Sequence, residues 1–233
     1  MRPEHILLAA PILLFSMVAH EYAHGYAALK QGDPTAYQLG RLTWNPLKHI
    51  DPVMTVILPA LTLYFSNFIF GGAKPVPVVP RNYRNFRRGD IIVSLAGIAS
   101  NVAIAVLAVL AVVLLGMLGR AVPALTETCA ILQVALSFGI YFNIILAYFN
   151  LLPIPPLDGS HVVKHVLPPR LSLAYQNVGR YGFAIIIVLF MMARPAFAVI
   201  MAPVVVLARL AFGVAFPYLI PTPTISNPFL GFA

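Results

Sequence analysis

The chain has few charged residues and a single cysteine. Of its 233 residues, 9% are Asp, Glu, Lys or Arg and 60% are hydrophobic, whereas about 25% of the residues in an ordinary soluble domain are charged. This composition excludes a soluble enzyme and predicts a protein embedded in a membrane. Cys129 cannot form an internal disulfide and belongs to no CxxC pair, so it indicates nothing about the redox compartment.

Acidic residues are scarcer than basic ones. Fifteen Lys and Arg stand against seven Asp and Glu, which gives a formal net charge of +8. In a soluble protein such an excess suggests a nucleic-acid partner. Here we expect the basic residues to lie in loops that face anionic lipid headgroups and the cytoplasm. The expected partner is therefore the lipid bilayer, and no nucleic acid.

Long uncharged runs predict how the chain crosses the bilayer. Residues 91–118 and 128–149 carry no charged side chain and exceed the roughly 20 residues that a transmembrane helix needs. Residues 5–29 form a third span, which we expect to be retained rather than cleaved as a signal peptide. The apolar stretches 181–193 and 196–208 predict a tight helical hairpin or two tilted spans.

These spans predict an all-α polytopic membrane protein. Residues 1–215 would form one integral membrane domain, because the apolar runs leave no room for a separate soluble domain. Residues 216–233 contain prolines and one hydrophobic cluster. We expect this segment to be a C-terminal tail that lies on the membrane surface.

His20, Glu21 and His24 form an HExxH sequence inside the first span. Two histidines four residues apart lie about 40° apart around an α-helix, so both imidazoles can reach one zinc ion while Glu21 points to its open coordination position. Each ionisable group at membrane depth costs about 2.5 to 3.5 kcal/mol on insertion scales, so three clustered groups favour a shared function. The alternative is a polar patch that faces a water-filled cavity.

A catalytic zinc site needs a third protein ligand. We expect Asp158 to supply it, since the prolines that follow the span at 128–149 prevent a continuous helix and let the chain turn back toward the membrane interior. His161 and His165 are themselves an i, i+4 pair and compete for this role. A helix that faces the cytoplasm would also explain those two histidines.

Three motifs together resemble the site-2 protease family of zinc-dependent intramembrane metalloproteases. They are the HExxH in a transmembrane helix, the stretch NLLPIPPLDG at 150–159 and the stretch GIASN at 97–101. The segment GGAKPVPV at 71–78 is similar to one in the compact members that lack PDZ and CBS domains. The resemblance extends from about residue 15 to about residue 166.

Carried over residue by residue, the resemblance implies a zinc ion and a general base. The implied ligands are His20, His24 and Asp158, and the implied base is Glu21. The implied activity is that of an intramembrane zinc metalloendopeptidase, which hydrolyses peptide bonds in or near the transmembrane segments of membrane-protein substrates.

Two asparagines match the motifs of that family. Asn101 and Asn150 are candidates to contact substrate or to support the oxyanion, and the alternative for both is a helix-packing amide hydrogen-bonded across the bundle. The sequence departs from the family pattern at Ile98, where proline is frequent, and at Ser160, where a second glycine is frequent. These departures bear on substrate fit rather than on the class of enzyme.

The segment before residue 90 must bring the HExxH helix and Asp158 to the same side. A full crossing by residues 53–70 would place them on opposite sides, and one zinc ion could not join them. The fold prediction is therefore a helical bundle with a short re-entrant or edge β segment near the active site. Val76 and Val78 alternate with prolines, which is typical of an edge strand, and this strand would bind an unwound substrate by strand addition.

The distribution of Lys and Arg predicts the orientation. With residues 30 and 90 on one side, that side holds most of the basic residues and is the cytoplasmic side under the positive-inside rule. We therefore expect an integral multi-pass protein of the cell membrane, with its N-terminus outside and its active site near the cytoplasmic side.

Two rival functions use the same residues. A non-catalytic zinc-binding membrane protein, either a transporter or an inactive protease relative that binds transmembrane helices, would also need the ligands. Glu21 disfavours that function, because neither role requires a base at this spacing. In another class of membrane zinc protease a glutamate supplies the third ligand, but Glu127 is the candidate and its neighbours match no such pattern.

Overall fold

The computed structural model describes residues 3–57, 59, 71–192, 194–221, 224–229 and 231, which are predominantly helical. The α-helices are α1 (Pro3–Gln31), α2 (Thr35–Gln38), α3 (Phe86–Ala121), α4 (Thr126–Leu151), α5 (Gly159–Val166), α6 (Pro169–Met192) and α7 (Arg194–Ala215). Short 3-10 turns occur at Pro46–His49, Pro80–Asn82, Pro123–Leu125 and Phe216–Tyr218, and Pro52–Ile57 is π-helical.

Within the described residues, four helical segments are long and apolar enough to cross a membrane. They are Glu4–Gln31, Phe86–Ala121, Pro123–Leu151 and Pro195–Tyr218. The first three confirm the predicted spans at 5–29, 91–118 and 128–149. The fourth is longer than the predicted stretch 196–208, because α7 continues past Arg209 to Ala215. The chain is an all-α multi-pass membrane protein, as predicted.

The edge strand expected at Val76 and Val78 is wrong, since the described part of the chain contains no β-strand. Residues 71–79 have no regular secondary structure. The main-chain N–H groups of Val76 and Val79 donate to side-chain carboxylates rather than to a neighbouring strand. The re-entrant alternative concerns residues 53–70, most of which lie outside the described residues.

Compact unit 1 comprises Met1–Ser16, Asn101–Tyr148 and Ile200–Ala233. Its apolar core includes the stacked or edge-packed rings of Phe138, Phe212 and Phe229, with ring centroids 5.0 to 5.2 Å apart for the pairs that involve Phe229. Phe229 is 7% exposed. Phe229 therefore anchors the tail to this core, while the position of the tail on the membrane surface stays a prediction.

Polar groups inside unit 1 bond to one another and to the main chain. The Nδ2 of Asn101 donates to Oδ1 of Asn143 at 2.8 Å, and Nδ2 of Asn143 donates to the Ser16 hydroxyl at 2.8 Å. The Nε2 of Gln133 donates to the Val112 carbonyl at 2.8 Å, and its Oε1 accepts from the main-chain N–H of Ile220 at 2.9 Å. These amides are buried and tie helices and tail segments together without a net charge.

Compact unit 2 comprises Met17–Ser100 and Phe149–Val199. Here α1 is followed by Gly32, whose φ of +111° is a left-handed conformation suited to glycine. Gly32 N–H donates to the Leu29 carbonyl at 3.2 Å and Asp33 N–H to the Ala28 carbonyl at 2.9 Å, which is a Schellman motif. The chain leaves α1 in a defined direction as a result.

The end of α1 also lies beside the segment that leads into α3. Arg84 N–H donates to the Gln31 carbonyl at 2.8 Å, and Tyr83 packs in a small core with Ala28 and Val93. The chain therefore returns to the end of α1 before α3 begins. This is the arrangement that the predicted active site requires of the segment between residues 30 and 90.

Candidate metal centre

Three side chains that are far apart in the sequence meet in unit 2. The Nε2 atoms of His20 and His24 lie 3.0 Å apart, and each lies close to Oδ2 of Asp158, at 3.1 Å and 3.2 Å respectively. Both histidines are buried and Asp158 is partly buried. The structure therefore brings together the three ligands that the sequence predicted.

Helix geometry and a tight loop place these side chains. His20 and His24 lie one turn apart on α1, while Asp158 lies immediately before α5, after the loop that follows Leu151. A Cβ built on Gly159 would meet the main-chain carbonyl of Leu151 within 2.5 Å, so this turn requires glycine. The proline-rich stretch ends α4 and turns the chain back, as the sequence predicted.

The donor set fits a zinc ion. Zinc binds His nitrogen and Asp oxygen at about 2.0 to 2.2 Å, which in tetrahedral geometry separates neighbouring donor atoms by about 3.3 Å. The three observed separations of 3.0 to 3.2 Å are close to that value. Among the described residues, His20, His24 and Asp158 are the group of His, Cys, Asp or Glu side chains placed to hold a metal ion.

A second layer orients the histidines. The Nδ1 of His24 lies 2.7 Å from the Val93 carbonyl, so it carries the proton and donates, which leaves Nε2 free to bind a metal. Gly97 on α3 lets the ring pair approach the helix backbone, since an added Cβ would lie 2.5 to 2.6 Å from ring atoms of His20 and His24. Sequence reasoning had noted Gly97 as part of a motif but not this close approach.

Glu21 points to a different neighbour. Its Oε2 accepts a hydrogen bond from the main-chain N–H of Val76 at 2.7 Å. The Val76 side chain is buried, and its Cγ1 would lie 2.9 Å from a Cβ added to Gly25. Residues 71–79 therefore pass directly along α1 beside the predicted base.

The predicted substrate-contact residues have separate structural positions. Asn101 is part of the amide network of unit 1, whereas Asn150 lies partly buried near the end of α4 in unit 2. Val78 packs on the small core that contains Tyr83, so its side chain, like that of Val76, faces inward. A substrate-binding role for these four residues stays a prediction.

The competing ligands His161 and His165 belong to another cluster. Asp90 of α3 accepts from Lys164 at 2.7 Å and pairs with His165 at 2.7 Å and His161 at 3.3 Å. These contacts connect α5, which begins immediately after Asp158, to the first turns of α3. Sequence reasoning missed this cluster, because Asp90 looked like an ordinary residue at the end of a segment.

A second buried carboxylate lies just beyond α1. Asp33 has no exposed surface, and although burial alone would raise its pKa, hydrogen bonds from Thr35, Val79 and Asn82 outweigh burial and hold the pKa below its ordinary value. Burial and the negative charges of Asp90 and Asp33 raise the pKa of the neighbouring Tyr83 hydroxyl. In the sequence, Asp33 lies in a polar segment between Gly32 and Pro34, and nothing in this local pattern indicates that its carboxylate is buried.

Comparison with known proteins identifies the family of the chain. The model of the family described as "Peptidase family M50" matches residues 8–194. The protein named "Putative zinc metalloprotease YwhC" of Bacillus subtilis is 36% identical over 178 residues, which is 76% of this chain and 77% of that protein. Proteins named "Putative zinc metalloprotease Rip2" are 34% identical over 176 residues in Mycolicibacterium smegmatis and 29% identical over 179 residues in Mycobacterium tuberculosis.

The aligned region covers 76% of this chain in both Rip2 comparisons, but 63% and 64% of the two Rip2 proteins. No solved structure matches this chain. The family model includes both histidines, Glu21 and Asp158 within its limits. The chain belongs to peptidase family M50, the site-2 protease family.

Proposed function

We propose that this chain is an intramembrane zinc metalloendopeptidase that cleaves the transmembrane segments of membrane-protein substrates. The observation that carries the proposal is the convergence of His20, His24 and Asp158 within 3.2 Å of one another, beside the carboxylate of Glu21. The names of the YwhC and Rip2 relatives, which describe zinc metalloproteases, support it. The four helices that can cross a bilayer support a membrane location for the reaction.

In the proposed hydrolysis, the metal ion and the side chains have different roles. Zinc, when held by His20, His24 and Asp158, supplies an activated water near neutral pH and polarises the scissile carbonyl. Glu21 takes the proton of the water and delivers it to the leaving nitrogen. The Val93 carbonyl keeps the His24 ring in one tautomer and orientation. Asn150 is the candidate donor for the developing oxyanion.

The substrate must present an unwound peptide to this site. A transmembrane helix bonds its carbonyls internally, so it has to open locally before attack. Val76 lies beside Glu21, and residues 71–79 would contact the opened segment through main-chain groups that Glu21 and Asp33 do not use. Val78→Pro removes one such donor, the main-chain N–H of residue 78. Unchanged turnover in that variant would contradict this mode of substrate binding.

We propose that the site lies near the cytoplasmic side of the cell membrane. The support is the excess of Lys and Arg in the segments next to the end of α1 and the start of α3. A reporter fused after residue 90 should read out as cytoplasmic. An extracytoplasmic signal would contradict this orientation.

Glu21→Gln tests the proposed function. The variant keeps the size of the side chain and the ligands, so it should retain zinc, while loss of the base should lower kcat by about 10²- to 10⁴-fold. Zinc content and cleavage of a transmembrane substrate are measured on the same purified samples. Glu127→Gln, the same change in α4, is the matched control and should cleave like the wild type.

Two outcomes would overturn the proposal. Wild-type turnover by Glu21→Gln would show that the cleavage does not use this base. Stoichiometric zinc in a wild-type protein that cleaves no transmembrane substrate would instead favour a non-catalytic zinc-binding protein.

A further inference from the structure

Asp33 is a buried carboxylate that joins three parts of unit 2. Its Oδ1 accepts from the Thr35 main chain at 3.2 Å, from the Thr35 hydroxyl at 2.5 Å and from Nδ2 of Asn82 at 2.8 Å. Its Oδ2 accepts from the main-chain N–H of Val79 at 2.6 Å. The Schellman motif at the end of α1 fixes the main chain on which this carboxylate stands.

The segment that Asp33 holds is the one that contacts Glu21. Val79 is bound by Asp33 and Val76, three residues earlier, is bound by Glu21. Pro77 lies between them and Pro75 and Pro80 flank them, so φ is fixed at these three positions and the residue before each proline is restricted as well. A displacement at Val79 is therefore passed to Val76 rather than absorbed by rotation of the intervening backbone.

The other end of the segment is held in a similar way. The Nη2 of Arg41 donates to the carbonyls of Lys74 at 3.1 Å and Pro75 at 3.3 Å. Lys74 N–H in turn donates to the His49 carbonyl at 2.7 Å. The two Arg41 contacts lie at exposed positions, whereas the contact of Asp33 with Val79 is part-buried. Water therefore competes less with the Asp33 contact than with the Arg41 contacts.

We propose that Asp33 is a positioning residue for the reaction, and that it orients the Glu21 carboxylate by fixing the main chain from Val79 to Val76. Asp33 touches neither substrate nor metal in this account. This inference rests on the proposed function, because Glu21 needs one orientation only if it serves as a base. The inference adds Asp33, which lies two positions beyond the last residue of α1, to the residues that support the reaction.

The two carboxylate oxygens of Asp33 bind different groups, so one substitution can disrupt the contact with Val79 and keep the others. In Asp33→Asn, the amide oxygen can take the Oδ1 position and keep the three donors on that side. The amide nitrogen then takes the Oδ2 position and faces the Val79 N–H, so that two donors oppose each other. Thr35→Val is the matched control, since it removes one donor from the same carboxylate and leaves the contact with Val79 in place.

The experiment compares wild type, Asp33→Asn and Thr35→Val in detergent or in nanodiscs. For Asp33→Asn we expect kcat to fall by about 10- to 100-fold, as for a misplaced catalytic group, with KM and zinc content near their wild-type values. Hydrogen exchange of the peptide 74–80, whose three amides belong to Val76, Val78 and Val79 because its other residues are prolines and the N-terminal Lys74, should accelerate at Val76 as well as at Val79. Thr35→Val should retain wild-type kcat and slow exchange at Val76.

The inference fails if Asp33→Asn has wild-type kcat, or if it loses zinc in parallel with activity, because a general structural defect would then explain the loss. Exchange in the wild-type protein provides a measurement that does not depend on whether the variant folds. A Val76 amide that exchanges as fast as an open loop would overturn the inference. Failure of the proposed function is distinct, since wild-type cleavage would then be insensitive to Glu21→Gln.

Discussion

The two compact units bury polar groups in opposite ways. Apart from His5, the buried polar side chains of unit 1 are neutral amides and hydroxyls, which bond to main-chain groups and to one another around an aromatic core. Unit 2 buries ionisable groups, namely the two histidines with Asp158, the carboxylate Asp33, and Asp90 with its basic partners. Neutral amides connect helices at modest cost, whereas ionisable groups at or near membrane depth are costly and mark function.

This difference suggests that the buried polar groups of unit 1 serve helix packing, whereas those of unit 2 serve the chemistry of the metal centre. A polar residue of unit 1 should matter for the free energy of unfolding, and a residue around the metal centre should matter for metal binding and turnover. Three substitutions test that separation, and they follow in order of expected effect.

Gly97→Ala should have the largest effect. The added Cβ would lie 2.5 to 2.6 Å from ring atoms of both histidines, so the rings must shift and the donor geometry is lost. Displaced ligands should weaken zinc binding by at least about 10- to 100-fold, as loss of a supporting contact does in other metal sites. Gly213→Ala, in α7 of unit 1, is the matched control, because a Cβ there meets nothing within 4 Å.

Competition with a chelator measures the zinc affinity of both alanine variants. Gly213→Ala should bind zinc like the wild type and be slightly more stable, by up to about 1 kcal/mol, since alanine favours the helix. Equal zinc affinity for Gly97→Ala and wild type would mean that the close approach of α3 to the rings does not shape the site.

Asn143→Ala should lower the free energy of unfolding and leave the metal centre intact. The change removes the acceptor of the Asn101 amide and the donor to Ser16 in a fully buried network, at a cost of about 1 to 3 kcal/mol. Reversible unfolding in mixed micelles measures the loss. Zinc bound per folded molecule should stay at the wild-type value, and a parallel loss of zinc would break the distinction between the units.

The smallest expected effect is a pH dependence from Asp33. Its pKa is lowered in the folded protein and is about 3.9 in an unfolded chain, so the unfolded state binds the proton first as the pH falls. The stability that Asp33 contributes is therefore present above about pH 3.9 and is lost as the pH falls through the folded value.

Unfolding midpoints of wild type and Asp33→Asn between pH 7 and pH 3 measure this dependence. The difference in stability between them should shrink below about pH 4, whereas the difference between wild type and Asn143→Ala should not follow pH. A constant gap between wild type and Asp33→Asn down to pH 3 would contradict the charged state assigned to Asp33.

The parts of the fold that follow from local pattern could be predicted from the sequence. Uncharged runs gave the spans at α1, α3 and α4 to within a few residues, because bilayer thickness sets a minimum length for an apolar helix. The i, i+4 spacing of His20 and His24 and the prolines before Asp158 predicted that these three side chains meet, since helix periodicity and a forced turn are local properties.

The parts that depend on tertiary pairing could not be predicted. Prolines at alternate positions around Val76 are typical of an edge strand, yet the N–H groups of this segment bond to carboxylates 46 and 55 residues away. Phe229 lies in a Pro-containing tail, and nothing in its neighbourhood indicates that it enters an aromatic core. Asp33 and Asp90 have ordinary local sequences, and their partners come from distant segments.

Zinc K-edge X-ray absorption on the purified wild-type protein tests the central claim most directly. The account predicts one zinc per chain with two imidazole ligands and oxygen ligands at about 2.0 to 2.2 Å. A sulfur shell at about 2.3 Å, or a spectrum without imidazole scattering, would contradict the assignment of His20, His24 and Asp158 as the metal centre.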